Sequence, residues 1–163
     1  MGDQKTVFLS LGSNLGKRKK NILQALDLLS QHEVSIDTVS PFFETEPVGD
    51  SAHPLFLNIV CRASTQLPPY RLLEACQEVE WNLGRNRKGD HSPRCIDIDI
   101  LFYSDLVLSS SLLKIPHPEL GRRNFVLLPL REMDQDFVNP ITGEKIDEMI
   151  ERCEDESWVR ILE

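Results

Sequence analysis

The segment SPRCIDIDILFY, residues 92–103, alternates Ile96, Ile98, Ile100 and Phe102 with Cys95, Asp97, Asp99 and Leu101. A period of two is that of a strand, so the pattern sends the isoleucines and Phe102 to one face and both aspartates to the other. A strand with one apolar and one acidic face suits an antiparallel sheet covered by helices on a single side. Like charges at adjacent same-face positions repel, so a strand built this way needs something positive between them. Such neighbours lie about 6.5–7 Å apart at the backbone, which lets their carboxylates converge on one hard cation or bridge two. Taken alone, D-I-D also suits a plain solvated strand face.

Working outward, TVFLSLG reads as a strand ending at Gly12. GSNLGKRKKNILQALDLLS, residues 12–30, then turns into a helix with Asn14 as its cap and Ile22, Ala25, Leu26 and Leu29 as its apolar stripe. Residues 34–45 read as one extended, partly polar strand, and LFLNIVCRAS as another. Pro68 and Pro69 open a second helix whose stripe is Leu72, Cys76, Val79 and Leu83. Downstream of the acidic strand come a hairpin-like stretch from Leu106 to Ile115 and a helix from Asn124 to Met133. NPITGEK then reads as a turn, followed by a last helical stripe at Ile146, Met149, Ile150 and Cys153. The order up to residue 102 is β-α-β-β-α-β, which predicts an α+β fold with a ferredoxin-like core. Its antiparallel sheet should carry helices on one face and the active site on the other, with C-terminal additions.

At 163 residues, 40% of them apolar, the chain supports one core, and a single domain over residues 1–163 is expected. No apolar run approaches the roughly 20 residues that span a bilayer, and no signal-peptide pattern precedes the first strand, so a cytoplasmic protein with no membrane partner is expected. Cys61, Cys76, Cys95 and Cys153 form no C-x-x-C pair, which fits reduced thiols. The 18 Lys and Arg against 26 Asp and Glu give a formal charge of −8, which opposes general affinity for nucleic acid. The cations nevertheless cluster, at Arg85, Arg87, Lys88 and Arg94 and again at Lys114, His117, Arg122 and Arg123. Two basic islands in an acidic protein point to a small polyanionic ligand.

The first island, GRNRKGDHSPR, is a loop bounded by glycine and proline. The rigid donor fork of arginine matches phosphate oxygens, so this loop is a candidate polyphosphate clamp that closes over its ligand. The second, IPHPELGRRNF, supplies His117 and Arg123. On the third strand Phe56 and Asn58 share the face opposite Leu57, Ile59 and Cys61. An amide can pair with the donor and acceptor edge of a heterocycle while an aromatic ring stacks on its plane.

Taken in order and spacing, FLSLGSNLG, FFETEPVG, FLNIV, EVEWNLGRNRKGDHSPRCIDIDILFY and IPHPELGRRNFVLLPL closely resemble the 6-hydroxymethyl-7,8-dihydropterin pyrophosphokinase family over roughly residues 6–133. The resemblance implies transfer of pyrophosphate from ATP to the pterin hydroxymethyl group, releasing AMP, in folate biosynthesis. It implies that Asp97 and Asp99 hold two Mg²⁺ ions and that Arg85, Arg94, His117 and Arg123 contact phosphate, with Arg87 and Lys88 in a mobile basic loop. By the same resemblance Thr45, Val48, Phe56, Asn58 and Phe125 form the pterin pocket, and Leu73, Gln77, Glu80 and Ile100 line the nucleotide side. The partners it implies are small molecules, with a monomer as the working expectation. Two positions depart from some family members: His91-Ser92 replaces a loop tryptophan, and Leu112 stands in place of an arginine. Another D-x-D phosphoryl transferase is the nearest rival. An RNA-recognition module would need aromatics where this chain has IDIDI.

Overall fold

The computed structural model describes residues 3–47, 52–84 and 94–162. Its strands are β1 (Lys5–Ser13), β2 (Val34–Val39), β3 (Phe43–Thr45), β4 (Phe56–Thr65), β5 (Asp97–Tyr103), β6 (Leu108–Ser109), β7 (Lys114–Ile115) and β8 (Val159–Ile161). Its α-helices are α1 (Arg18–Gln31), α2 (Pro69–Asn82), α3 (Asn124–Met133) and α4 (Ile146–Arg152). β1 lies between β4 and β5 and pairs antiparallel with both. β4 in turn pairs with β2 along one half and with β3 along the other, and β8 extends the sheet beyond β3. β6 and β7 form the short hairpin that the sequence leads one to expect.

Three details differ from expectation, each for a physical reason. The strand expected over residues 34–45 is divided, because Pro41 has no N–H for the ladder. Ser40 spans the break: its N–H donates to the Val60 carbonyl at 2.9 Å and its hydroxyl accepts the Val60 N–H at 3.0 Å. Asn14 does not cap α1, whose N-cap residue is Lys17. The side chain of Asn14 is used elsewhere, as described below. β8 was not foreseen; it is too short to show a period and exists by pairing with the edge of β3.

Val7, Leu9 and Leu11 of β1, Leu57, Ile59 and Cys61 of β4, and Ile98 and Ile100 of β5 bury one sheet face. They pack with Ile22, Ala25 and Leu29 of α1 and Leu72, Cys76 and Val79 of α2. The opposite face is not free along its whole length, contrary to expectation. Phe8, Val60 and Phe102 pack there against Val126, Leu127 and Leu130 of α3 and Ile146 and Met149 of α4. Phe102 reaches that face because the β1–β5 register slips at Phe8/Leu9: Leu9 opposes Ile100 while Phe8 opposes Phe102, leaving Leu101 as the extra residue of a bulge. The phase of two therefore changes at Leu101. Phe8 meets Phe102 edge-to-face at 6.0 Å and Phe137 at 5.2 Å. Helices thus cover one end of this face, and the end carrying Asp97 and Asp99 lies beyond them.

Glu44 of β3 ties three separate elements together. Its carboxylate accepts from Arg18 of α1 at 2.8 Å and from Arg160 of β8, and Arg18 also donates to the Leu55 carbonyl at 3.0 Å. The Arg18 hydrogen bond outweighs the opposing effect of burial and, with Arg160, holds the Glu44 carboxyl below its ordinary value of 4.5. A carboxyl lowered in the fold adds stability that is present above its unfolded pKa and is lost as pH falls through its folded pKa. Glu44→Gln should therefore reduce stability at neutral pH and flatten the decline seen from about pH 5 downward. Urea midpoints at several pH values check this; parallel curves for the two proteins would show that Glu44 contributes no such linkage.

Candidate active site

Asp97 and Asp99 project from the same face of β5, with side chains 20% and 23% exposed. The register sets their neighbours. Gly12 of β1 lies opposite Asp97, Ser10 lies opposite Asp99, and Gly12 on its other side faces Asn58 of β4. Opposed residues share a face, so one row runs Asp97, Gly12, Asn58, Phe43 across the sheet. Glycine forms its floor for a steric reason: a Cβ at residue 12 would fall 2.6 Å from Asn58 Oδ1 and 3.4 Å from Phe56 Cδ1.

Asn58 is buried, and its Nδ2 donates to Thr45 Oγ1 at 2.8 Å, which fixes the amide on this face of the sheet. Phe56 stands beside it, opposite Thr45 in the β3–β4 register. Phe56 carries the Arg94 guanidinium over its ring at 4.9 Å, and the same guanidinium lies 3.5 Å from Asp97. The second aspartate repeats the pattern: Arg123 lies 3.9 Å from Asp99 and 5.4 Å from the centre of the Phe125 ring. Each carboxylate is thus matched by a guanidinium that also rests on an aromatic ring.

Arg94 follows directly on a stretch that lies outside the described residues, and Asn14 holds it in place. The Arg94 N–H donates to Asn14 Oδ1 at 2.8 Å, the Asn14 N–H donates to the Arg94 carbonyl at 3.1 Å, and Asn14 Nδ2 donates to the Pro54 carbonyl at 3.2 Å. One buried amide therefore joins the end of β1 to the segments leading into β4 and β5.

On the other flank of β5, a cavity of about 270 Å³ is lined by Leu73, Asp99, Ile100, Leu112, Lys114 and His117 among others. His117 Nδ1 accepts the Glu119 N–H at 3.1 Å, so in the neutral ring the proton belongs on Nε2. Leu112, 76% exposed, sits on the rim. Of the residues that the resemblance assigns to a nucleotide, Leu73, Ile100 and His117 come together here, and Arg123 approaches from the Asp99 side. Gln77 is exposed on α2, one turn beyond Leu73. Glu80 does not line this cavity: it is buried, and its Oε2 accepts the N–H of Ile98, between the two aspartates, at 2.9 Å. A buried carboxyl needs such donors, and Glu80 finds one in the backbone of β5. Arg85, Arg87, Lys88 and Val48, with His91, lie outside the described residues.

Among the described residues, no cluster of three or more His, Cys, Asp or Glu side chains forms an all-protein metal cage. Asp97 and Asp99 fit Mg²⁺ in its usual manner, in which one or two carboxylates share the ion with substrate phosphates and water. A larger concavity of about 830 Å³, lined by Lys17, Lys20, Leu23, Phe42 and Leu162, opens at the first turn of α1 and includes neither aspartate. The sequence reading missed Gly12, Asn14 and the supporting position of Glu80. The G-S-N run at the end of β1 was visible, but what it touches depends on register and on residues 80 positions away.

The family model for 7,8-dihydro-6-hydroxymethylpterin-pyrophosphokinase (HPPK) matches residues 8–135. The chain is 41% identical over 136 residues to the 2-amino-4-hydroxy-6-hydroxymethyldihydropteridine pyrophosphokinase of Aquifex aeolicus, covering 83% of this chain and 84% of that protein. It is 41% identical over 160 residues to the folic acid synthesis protein fol1 of Pneumocystis carinii, covering 98% of this chain but only 22% of that much longer protein. Among solved structures, wild-type HPPK-DHPS of Plasmodium falciparum with pterin and p-hydroxybenzoate matches in fold. The TM-score is 0.69 at 16% identity, over 93% of this chain and 42% of that one.

The geometry makes Gly12 a test of the site. Gly12→Ala should displace the Asn58 amide and strain its bond to Thr45, costing about 1–3 kcal/mol of stability as overpacking does. Chemical denaturation measures this, and Ser10→Ala, one step along the same face, serves as the control. An unchanged unfolding midpoint for Gly12→Ala would mean that the Asn58 side chain has room to move.

Proposed function

The chain belongs to the 7,8-dihydro-6-hydroxymethylpterin-pyrophosphokinase family, and we propose that it transfers pyrophosphate from ATP to the hydroxymethyl group of 6-hydroxymethyl-7,8-dihydropterin, releasing AMP, in folate biosynthesis. The observation that carries this reading is a single sheet face on which Asp97 and Asp99 stand beside the pocket of Phe56, Asn58 and Thr45. In this reading Asn58 and Thr45 pair with the edge of the pterin, and Phe56 and Phe125 stack on its two faces, with Val48 completing the pocket. Leu73, Ile100 and Gln77 border the base of ATP. Arg94, Arg123 and His117 hold its phosphates together with Arg85, Arg87 and Lys88.

Asp97 and Asp99 would hold two Mg²⁺ ions, which supply neutralisation of the phosphate charge when bound. The hydroxymethyl oxygen forms a bond to the β-phosphorus while the bond from that phosphorus to the α,β-bridging oxygen breaks. AMP leaves, and the hydroxyl proton passes to solvent. The pocket holds the hydroxyl in line, and the guanidiniums of Arg94 and Arg123 stand ready to leave the carboxylates for phosphate oxygens. Glu80 keeps β5 in register behind the aspartates. The same reading takes the β1-α1-β2/β3-β4-α2-β5 portion as a ferredoxin-like core, and the protein as a cytoplasmic monomer acting on small molecules, as one domain over residues 1–163.

Product analysis tests the reaction. AMP formation from MgATP should depend on the pterin, whereas release of ADP or of free pyrophosphate would overturn the assignment in favour of another D-x-D transferase. Asp97→Ala and Asp99→Ala should each lower turnover at least about a thousandfold. Both variants should remain folded, because each removes one of two like charges at a partly exposed site. Near-normal turnover in either would remove that residue from the metal site.

A further inference from the structure

Residues 155–161 lie beyond the stretch matched by the family model, yet they touch both walls of the pocket. On one side, the first N–H groups of α3 have no partner within the helix, and its N-cap residue, Arg123, makes no side-chain cap. Asp155, 31 residues away in sequence, supplies one: Oδ2 accepts the Asn124 N–H at 2.9 Å, and Asn124 Nδ2 donates to the Asp155 carbonyl at 2.6 Å. A second bond, from the Ser157 N–H to Asp155 Oδ1 at 2.9 Å, holds the carboxylate still. On the other side, the Trp158 N–H donates to Glu46 Oε1 at 2.7 Å, Val159 pairs with Thr45, and Arg160 binds Glu44.

We propose that residues 155–161 are a strap that sets the width of the pterin pocket, with Asp155 as a positioning residue for Arg123 and Phe125 and with Trp158–Ile161 holding Thr45. This rests on the pterin reading of the pocket above. The two attachments differ in kind. Asp155 places an anion at the positive end of α3, where Arg123 and Phe125 flank Asn124. β8 gives the three-residue strand β3 a second ladder, so Thr45 is held from both edges. Seven residues thus connect the ring on α3 to the hydroxyl that orients Asn58. Burial raises the pKa of Asp155, but hydrogen bonds from Asn124 and Ser157 and the charge of Arg123 outweigh it. The carboxyl is held below the usual range and is ionised at neutral pH.

The test compares Asp155→Ala, Asp155→Asn and Glu46→Ala with the unaltered chain. In the ligand-free protein, amide exchange at residues 124–127 should speed by about five- to tenfold in Asp155→Ala, and exchange at residues 45 and 159 should speed in Glu46→Ala. Pterin affinity, titrated alone, should fall by about five- to tenfold in both alanine variants; affinity for a non-hydrolysable ATP analogue with Mg²⁺ should stay unchanged in Glu46→Ala and fall less than pterin affinity in Asp155→Ala, where Arg123 is also released. Asp155→Asn keeps an acceptor for the Asn124 N–H and should recover most of the loss. Unchanged exchange, an equal loss for both ligands in Glu46→Ala, or Asp155→Asn no better than Asp155→Ala would overturn the strap. If the unaltered chain bound no pterin, the functional reading would fail, whereas the exchange comparison would still decide whether the strap exists.

Discussion

Two carboxylates on one face of one strand repel each other, and most of the site follows from how that repulsion is met. Arg94 reaches Asp97 and Arg123 reaches Asp99, and each guanidinium lies over a phenylalanine. At 3.5 and 3.9 Å, both pairs sit at partly exposed carboxylates on the open side of the sheet. In the proposed function these guanidiniums turn to phosphate oxygens while the carboxylates take the metal ions. A tighter, fully buried pair would resist that exchange.

The support behind the aspartates is of the opposite character. Glu80 is buried and bonded to the backbone between them, and Asn14 is buried and bonded to the chain on either side of the pocket. Buried polar groups with satisfied geometry resist rearrangement, because breaking one strands a donor or an acceptor out of water. Exchangeable charge on the open side thus rests on a hydrogen-bonded scaffold on the covered side. Gly12 contributes by having no side chain, since a Cβ there would fall on the Asn58 amide and against the Phe56 ring.

The bulge at Leu101 divides the strand by task. Before it, the site face of β5 carries Asp97 and Asp99; after it, the same face carries Phe102 packed beneath α3 and α4. One extra residue lets a strand with an open acidic end close into a second apolar core, and that core anchors the helix from which Phe125 projects.

Much of this was legible in the sequence. The phase of two in CIDIDI placed both aspartates together and the isoleucines opposite. Proline marked the start of α2, and α3 ran from Asn124 to Met133 as its pattern predicts. These are local properties, in which neighbouring residues alone set the periodicity. The division of the 34–45 strand, the phase change at Leu101, the displacement of Asn14 from its helix and the turning of Glu80 toward β5 were decided only by the tertiary structure. Each depends on which backbone N–H or carbonyl lies opposite, and that is a matter of register between strands distant in the chain. The strap is the extreme case. Nothing in DESWVRI signals a pocket wall; those residues acquire that place because α3 and β3 each present unpaired backbone groups within their reach.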